Sequence, residues 1–242
     1  QMCIRDRPLL RDLAAAYSER HKYVTFDFDA VGSTAGLQVL RWGNADLALV
    51  SRRLEPGEEY DIQTGKRLLA YTVIAQDGIA VVVNERNPLR GLTLYALRNL
   101  IEGQVTSWEE LGSPAGEIVV ISREDGSGTR AVFEELVMRG RRVTPTALVM
   151  PGSEAVRDYI AKHEGAIGYL SIGYLGPGIA ALAIDHVRPE RQAIEQGTYP
   201  ITRPFLLVSR AEPEPEVTDF MQFARSPAGQ AIVRRTYGAA SR

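Results

Sequence analysis

Cysteine occurs once in the 242 residues, at Cys3. That excludes an internal disulfide and a cysteine-based metal site. Three histidines, His21, His163 and His186, lie far apart and form no ligand-spaced pair. No metal and no cofactor is therefore expected. Lysine is nearly absent too: only three of the 28 basic residues are lysine. Arginine presents a planar fork suited to oxyanions, although codon bias accounts for most of these arginines. The net charge is only -2, which gives no electrostatic reason to expect nucleic acid or an anionic membrane surface as partner. No apolar run approaches the roughly 20 residues of a membrane span, and no export signal is visible. What remains is ordinary globular composition, 45% hydrophobic and 24% charged. It suffices for one large domain or two small ones.

Periodicity and punctuation organise the chain. Residues 8–20, PLLRDLAAAYSER, form an amphipathic pattern with proline in the first turn. Residues 23–29, YVTFDFD, alternate as a strand does. A small-residue turn over 30–36 then leads into a short helix ending near Gly43. Residues 46–50, 68–75, 79–83, 118–121, 165–170 and 200–208 read as strands, with Gln76, Asp77 and Gly78 as a break between two of them. Helices are predicted over 93–102, capped by Thr93 and stopped by Gly103, and over 129–139 and 153–163, with two more at the C-terminus. Ser107 to Glu110 is a capping box, and Ser226 followed by Pro227 opens the last helix. Strands alternating with helices predict α/β layers. The opening QMCIRDR, residues 1–7, shows neither helical nor strand pattern and reads as a foreign junction or the edge of an incomplete sequence.

One stretch carries chemistry. Residues 122–135 read SREDGSGTRAVFEE, a strand end followed by Gly-Ser-Gly-Thr and a helix. The first helical N–H groups have no internal partner, and the aligned peptide dipoles place about +0.5 charge there. Ser127 and Thr129 add hydroxyls, Gly126 and Gly128 let the backbone come close, and Arg123 supplies a fork of donors. This composition fits either an ordinary helix cap or an anion site. It is not a P-loop, because the lysine and its spacing are missing, and no Gly-x-Ser-x-Gly nucleophile elbow occurs here. A second strand–turn–helix, Gly32-Ser33-Thr34-Ala35-Gly36, repeats the theme. Ser51 and Arg52 end a third strand. Ligands of open α/β sheets lie outside the carboxyl ends of strands, so three such ends are able to converge on one small oxyanion.

These residues in this order resemble the substrate-binding proteins of phosphate ABC transporters, the PstS-like branch of the type II periplasmic binding proteins. The likeness rests on REDGSGTR with Phe133 after it, NADLALVSR (44–52), GIAVVVNERNPLRGLT (78–93), IEGQVTSWEELG (101–112), GAIGYLSIGYL (165–175), GTYPITRPFLLV (197–208) and SPAGQAIV (226–233). It implies an α/β fold of two domains joined by two crossover strands, with the ligand in a cleft between them. Mapped here, domain I takes residues 1–77 and 187–242, and domain II residues 78–186. The family's phosphate contacts carry over to Arg123, Ser127, Gly128 and Thr129, and to Ser33 with Thr34 beside it. Ser51 and Arg52 complete the expected site. Two departures stand out. The family's first strand and hydroxyl-bearing turn would fall where this chain has QMCIRDR, so that part of the site is expected to be missing. Some members also place an aspartate at the position of Ser51, which would accept the proton of hydrogen phosphate that sulfate lacks.

The function implied is capture of inorganic phosphate outside the cytoplasm by a monomer, free or lipid-anchored, and its delivery to permease subunits. No nucleic acid and no enzymatic turnover are expected. A phosphate-ester hydrolase using Ser127 or Ser33 as nucleophile is a second reading, though no histidine is near either serine in sequence. A phosphate-sensing module not coupled to transport is a third. Cys3 has too few residues before it to make a lipobox.

Overall fold

A computed structural model describes residues 2–4, 8–29, 32–114 and 116–240. The chain begins with β1 (Met2–Ile4), α1 (Pro8–Ser18), β2 (Phe26–Phe28), α2 (Ser33–Arg41), β3 (Ala48–Val50) and α3 (Pro56–Glu59). The long β4 (Leu69–Asn84) leads to β5 (Gly91–Leu92), α4 (Leu94–Ile101), β6 (Val119–Arg123), α5 (Gly128–Phe133), β7 (Leu148–Met150), α6 (Ser153–Lys162) and β8 (Ala166–Ser171). Then come β9 (Ile179–Ala181), β10 (Ala183–Ile184), α7 (Arg191–Glu195), β11 (Thr202–Arg210), α8 (Pro215–Arg225), α9 (Pro227–Val233) and β12 (Gly238–Ala239). This is a mixed α/β fold, as the alternation predicts.

The chain divides into two compact units. One is Gln1–Gln76 with Arg203–Arg242; the other is Asp77–Thr202. In the first unit β11 lies between β3 and the start of β4, and β11 runs antiparallel to β3 with Leu206 opposite Val50. Its core is formed by Leu37 and Leu40 of α2, Ala48 and Val50, Leu69, Leu206 and Val208. Burying a side chain of this size stabilises the fold by about 1.5–3 kcal/mol. Helix α1 buries Leu9, Leu10, Leu13 and Tyr17, and the Tyr17 ring meets Phe220 edge-on at 5.3 Å. Gln230, buried on α9, donates to Ile74 O and Ala224 O and accepts from the Ala240 amide. That ties α9 to β4 and to the C-terminal strand with its side-chain amide well partnered.

In the second unit the end of β4 pairs antiparallel with β8 and β9, while β6 is parallel to both β8 and β7. The chain therefore runs β6–α5–β7–α6–β8. Two successive parallel strands, β6 and β7, each deliver a helix start at their carboxyl ends. The caps follow the local chemistry. Thr93 accepts from the Ala96 amide at the start of α4, Ser107 forms a full capping box, and Ser226 caps α9.

Three expectations are corrected. Met2–Ile4 is a strand, parallel to β2 with Met2 opposite Phe26 and Ile4 opposite Phe28. Three residues are too few to show alternation, and their partner is more than 20 residues away. The remainder of QMCIRDR, positions 1 and 5–7, and residues 30–31 of the second turn lie outside the described residues. Second, Gln76, Asp77 and Gly78 do not break the sheet: β4 is continuous for 16 residues. Asp77 is buried and accepts a hydrogen bond from Ser171 Oγ at 2.8 Å. Gly78 lies inside β4, where a Cβ would come within 2.5 Å of Ile194 Cδ1, a close approach and not a turn. Third, residues 187–202 belong to the second unit. Tyr199 O–H donates to Ile79 O at 2.8 Å, and the Ile79 amide donates to Ile201 O at 2.9 Å. Burial pushes the Tyr199 hydroxyl well above its ordinary pKa, against the opposing effect of its hydrogen bonding to the backbone.

Candidate functional site

In the first unit, the end of β3 and the start of α2 meet. Ser33 is the first residue of α2, after an extended Gly32. Its Oγ lies 3.3 Å from Ser51 Oγ and accepts from the Ser51 amide at 3.3 Å. Both serines are buried. Thr34 Oγ1 accepts from Arg52 Nη2 at 3.5 Å. Ser33, Thr34, Ser51 and Arg52, separated by up to 19 positions in sequence, thus form one cluster. Arg52 is held in place by the short helix α3, whose Glu58 receives Nη1 at 2.6 Å and Nη2 at 2.7 Å. This hydrogen-bonded pair raises the Arg52 pKa further above its ordinary value against the effect of burial. Burial pushes the Glu58 carboxyl up. Hydrogen bonds from Arg52 and the Glu55 amide, with charge from Arg52 and Arg41, more than offset this and carry it below the usual carboxylate range.

Sequence reasoning missed Arg203. It is buried on β11, donates to Ser51 O at 3.4 Å and stacks over Phe205 at 5.4 Å. Its only signal was an arginine inside the apolar run ITRPFLLV.

In the second unit, Arg123 ends β6 and is only 1% exposed. Its Nε and Nη2 donate to the two carboxylate oxygens of Glu124, each at 2.8 Å. Nε also reaches Met150 O at 3.3 Å, and Nη1 donates to Ser153 Oγ at 3.2 Å. Gly126 adopts φ +80°, the left-handed conformation the tight turn requires. Ser127 caps α5 by accepting from the Arg130 amide at 3.4 Å. Gly128 and Thr129 begin the helix, and both are buried. Arg130 secures the loop by donating to Arg123 O, Asp125 and Glu134. Its hydrogen bond to Glu134 raises its pKa, against the effect of burial. Arg123, Ser127, Gly128 and Thr129 are therefore assembled on one loop.

The electrostatics of both clusters are balanced. Arg123 is shared with Glu124, Arg52 with Glu58, and Arg130 with Asp125 and Glu134. Such a surface is suited to holding an anion with hydroxyls, helix N–H groups and a guanidinium that already shares its charge, not with an excess of free cations. Among the described residues, no group of three or more His, Cys, Asp or Glu is placed to hold a metal ion, and no helix is long and apolar enough to cross a membrane.

Comparison with known proteins decides the family. A family model described as the PBP superfamily domain matches residues 6–228. A crystal structure from Clostridium perfringens, described as a phosphate ABC transporter substrate-binding protein with bound phosphate, superposes with a TM-score of 0.91 at 31% identity. It covers 100% of this chain and 99% of that one. The chain belongs to the PBP superfamily, as a PstS-like member. The phosphate-binding protein PstS of Bacillus subtilis is 31% identical over 196 residues, 81% of this chain. This chain spans only 64% of that relative's length. An ABC-type phosphate transport receptor from Vibrio cholerae is also 31% identical, with a TM-score of 0.76 over all of both chains.

Proposed function

We propose that this PBP superfamily protein captures inorganic phosphate outside the cytoplasm, as a monomer, and delivers it to an ABC transporter permease. The observation that carries the reading is Arg123. A 1% exposed guanidinium stands at the carboxyl end of a strand, beside the Ser127-Gly128-Thr129 helix start. Nε, one N–H of Nη1 and one of Nη2 are spent on Glu124, Met150 O and Ser153, which leaves two of the five guanidinium N–H groups for a dianion beside the helix start. The relatives' names, phosphate-binding protein PstS and phosphate transport receptor, support the choice of phosphate among oxyanions. Ser33, Thr34, Ser51 and Arg52 are assigned to phosphate binding by the first unit. They present hydroxyls at a second helix start, with Arg52 oriented by Glu58.

Capture proceeds without turnover. Ser127 Oγ serves as a helix cap, accepting from the Arg130 amide, a role that suits a binding turn better than a nucleophile. Isothermal titration of the chain with phosphate, and with sulfate as comparator, tests the reading. Saturable binding of phosphate, at micromolar affinity corresponding to about -8 kcal/mol, is the expected result. Failure to bind phosphate at millimolar concentration would overturn it.

A further inference from the structure

Ser153 was not among the residues the sequence pointed to, and it is not on the Gly-Ser-Gly-Thr loop. It nevertheless meets the centre of that site. Strands β6 and β7 pair in parallel with Arg123 opposite Met150. Three residues beyond Met150, after Pro151 and Gly152, the chain turns into α6, a helix of 10 residues. Ser153 is its first residue and is 6% exposed. Its Oγ accepts from Arg123 Nη1 at 3.2 Å.

A serine hydroxyl has one proton to donate and two lone pairs. Here a lone pair is engaged by the guanidinium, and the proton has no acceptor among the described residues. The residue that caps α6 is Gly152, which is extended and makes no side-chain cap. The hydroxyl is therefore not used to start the helix. It is a nearly buried donor held against the Arg123 guanidinium, at a helix end whose dipole favours negative charge.

We propose that Ser153 is a further residue of the phosphate site, acting in two ways. It positions the Arg123 guanidinium through Nη1, and it donates its own proton to the bound anion. The inference rests on the phosphate reading above and extends it to a second strand–turn–helix of the same unit. The sequence signal, visible once the strand pairing is known, is MPGSEA at 150–155: a strand end, a glycine and a hydroxyl, like the turns at 32–34 and 126–129.

The test is phosphate titration of the unaltered chain beside Ser153→Ala and Ser153→Thr, each with a thermal melt. S153A removes the acceptor of Arg123 Nη1 but no side-chain cap of α6, so it should stay folded and melt only a few degrees lower. Its affinity for phosphate should fall about tenfold to a hundredfold, the range for losing a hydrogen bond to a charged group. S153T keeps the hydroxyl and should recover most of the affinity, a rescue that a role in folding alone would not produce. If S153A folds poorly, Ser153→Cys takes its place, since it is nearly isosteric and a weak donor. Affinity within twofold of the unaltered chain in S153A, or S153T as weak as S153A, would overturn the role of Ser153 while leaving the phosphate reading intact. No phosphate binding by the unaltered chain would overturn both.

Discussion

Replacement of Arg123 by alanine probes the centre of the proposed site. The guanidinium makes four hydrogen bonds in the structure: two to Glu124 and one each to Met150 O and Ser153 Oγ. The stability cost should be modest. Glu124 is 29% exposed and can turn to water, and Ser153 can reorient. Met150 O loses one of two donors and keeps the Glu124 amide at 3.3 Å, so the cost should be near the net worth of one hydrogen bond, about 0.5–1.5 kcal/mol. The binding cost should be much larger. Two charge-assisted bonds to the anion, at about 1.5–3 kcal/mol each, amount to a loss of roughly two to four powers of ten in affinity. The Glu124 carboxylate, no longer neutralised, should add repulsion. The double variant Arg123→Ala, Glu124→Gln should therefore bind phosphate better than Arg123→Ala alone. Titration calorimetry measures the affinities, and a thermal melt shows whether each variant is folded. A folded R123A chain that binds phosphate within about threefold of the parent, well below even one lost charged hydrogen bond, would refute the placement of Arg123 in the site.

Other perturbations test separate parts of the structure. Gly229→Ala should destabilise strongly, by about 3 kcal/mol or more, because a Cβ there would meet the backbone oxygens of Phe223 and Ala224 at 2.3 and 2.8 Å; a melting temperature unchanged by this variant would contradict the α8–α9 junction. Glu58 has a lowered folded pKa, so its stabilising effect is complete above the unfolded value of about 4.3 and is lost as pH falls through the folded value. Glu58→Gln should be less stable near neutral pH and should show a flatter acid decline below about pH 4.3 in denaturant titrations; parallel curves for the two proteins would contradict the Arg52–Glu58 pair. Ser51→Asp places a carboxylate beside Ser33 Oγ, which should accept the proton of hydrogen phosphate and repel sulfate. The phosphate-to-sulfate affinity ratio should rise at least about tenfold, and an unchanged ratio in competition titrations would show that Ser51 does not face the ligand.

Much of this protein was determined locally. The caps at Thr93, Ser107 and Ser226 and the Gly-Ser-Gly-Thr turn were legible because capping bonds span two or three residues, and those residues are adjacent in the sequence. Helices α1, α4 and α6 were legible from their apolar spacing. The presence of a Ser/Thr/Arg turn at the end of three strands was visible as well, and with it the family.

What the tertiary structure alone decided depends on strand pairing across long stretches of chain. Gly78 read as a break, because a glycine in the sequence does not distinguish a turn from a close approach; only the position of Ile194 settles that it is the latter. Met2–Ile4 became a strand through a partner at Phe26–Phe28. Residues 187–202 joined the second unit through Tyr199 and Ile201. Ser153 reached Arg123, 30 positions away, because β6 and β7 pair in parallel with Arg123 opposite Met150. Sequence periodicity sets which face of a strand is apolar. Register, which neighbours share an edge and in what alignment, is set by packing over the whole sheet, and it is register that placed the second hydroxyl against the arginine.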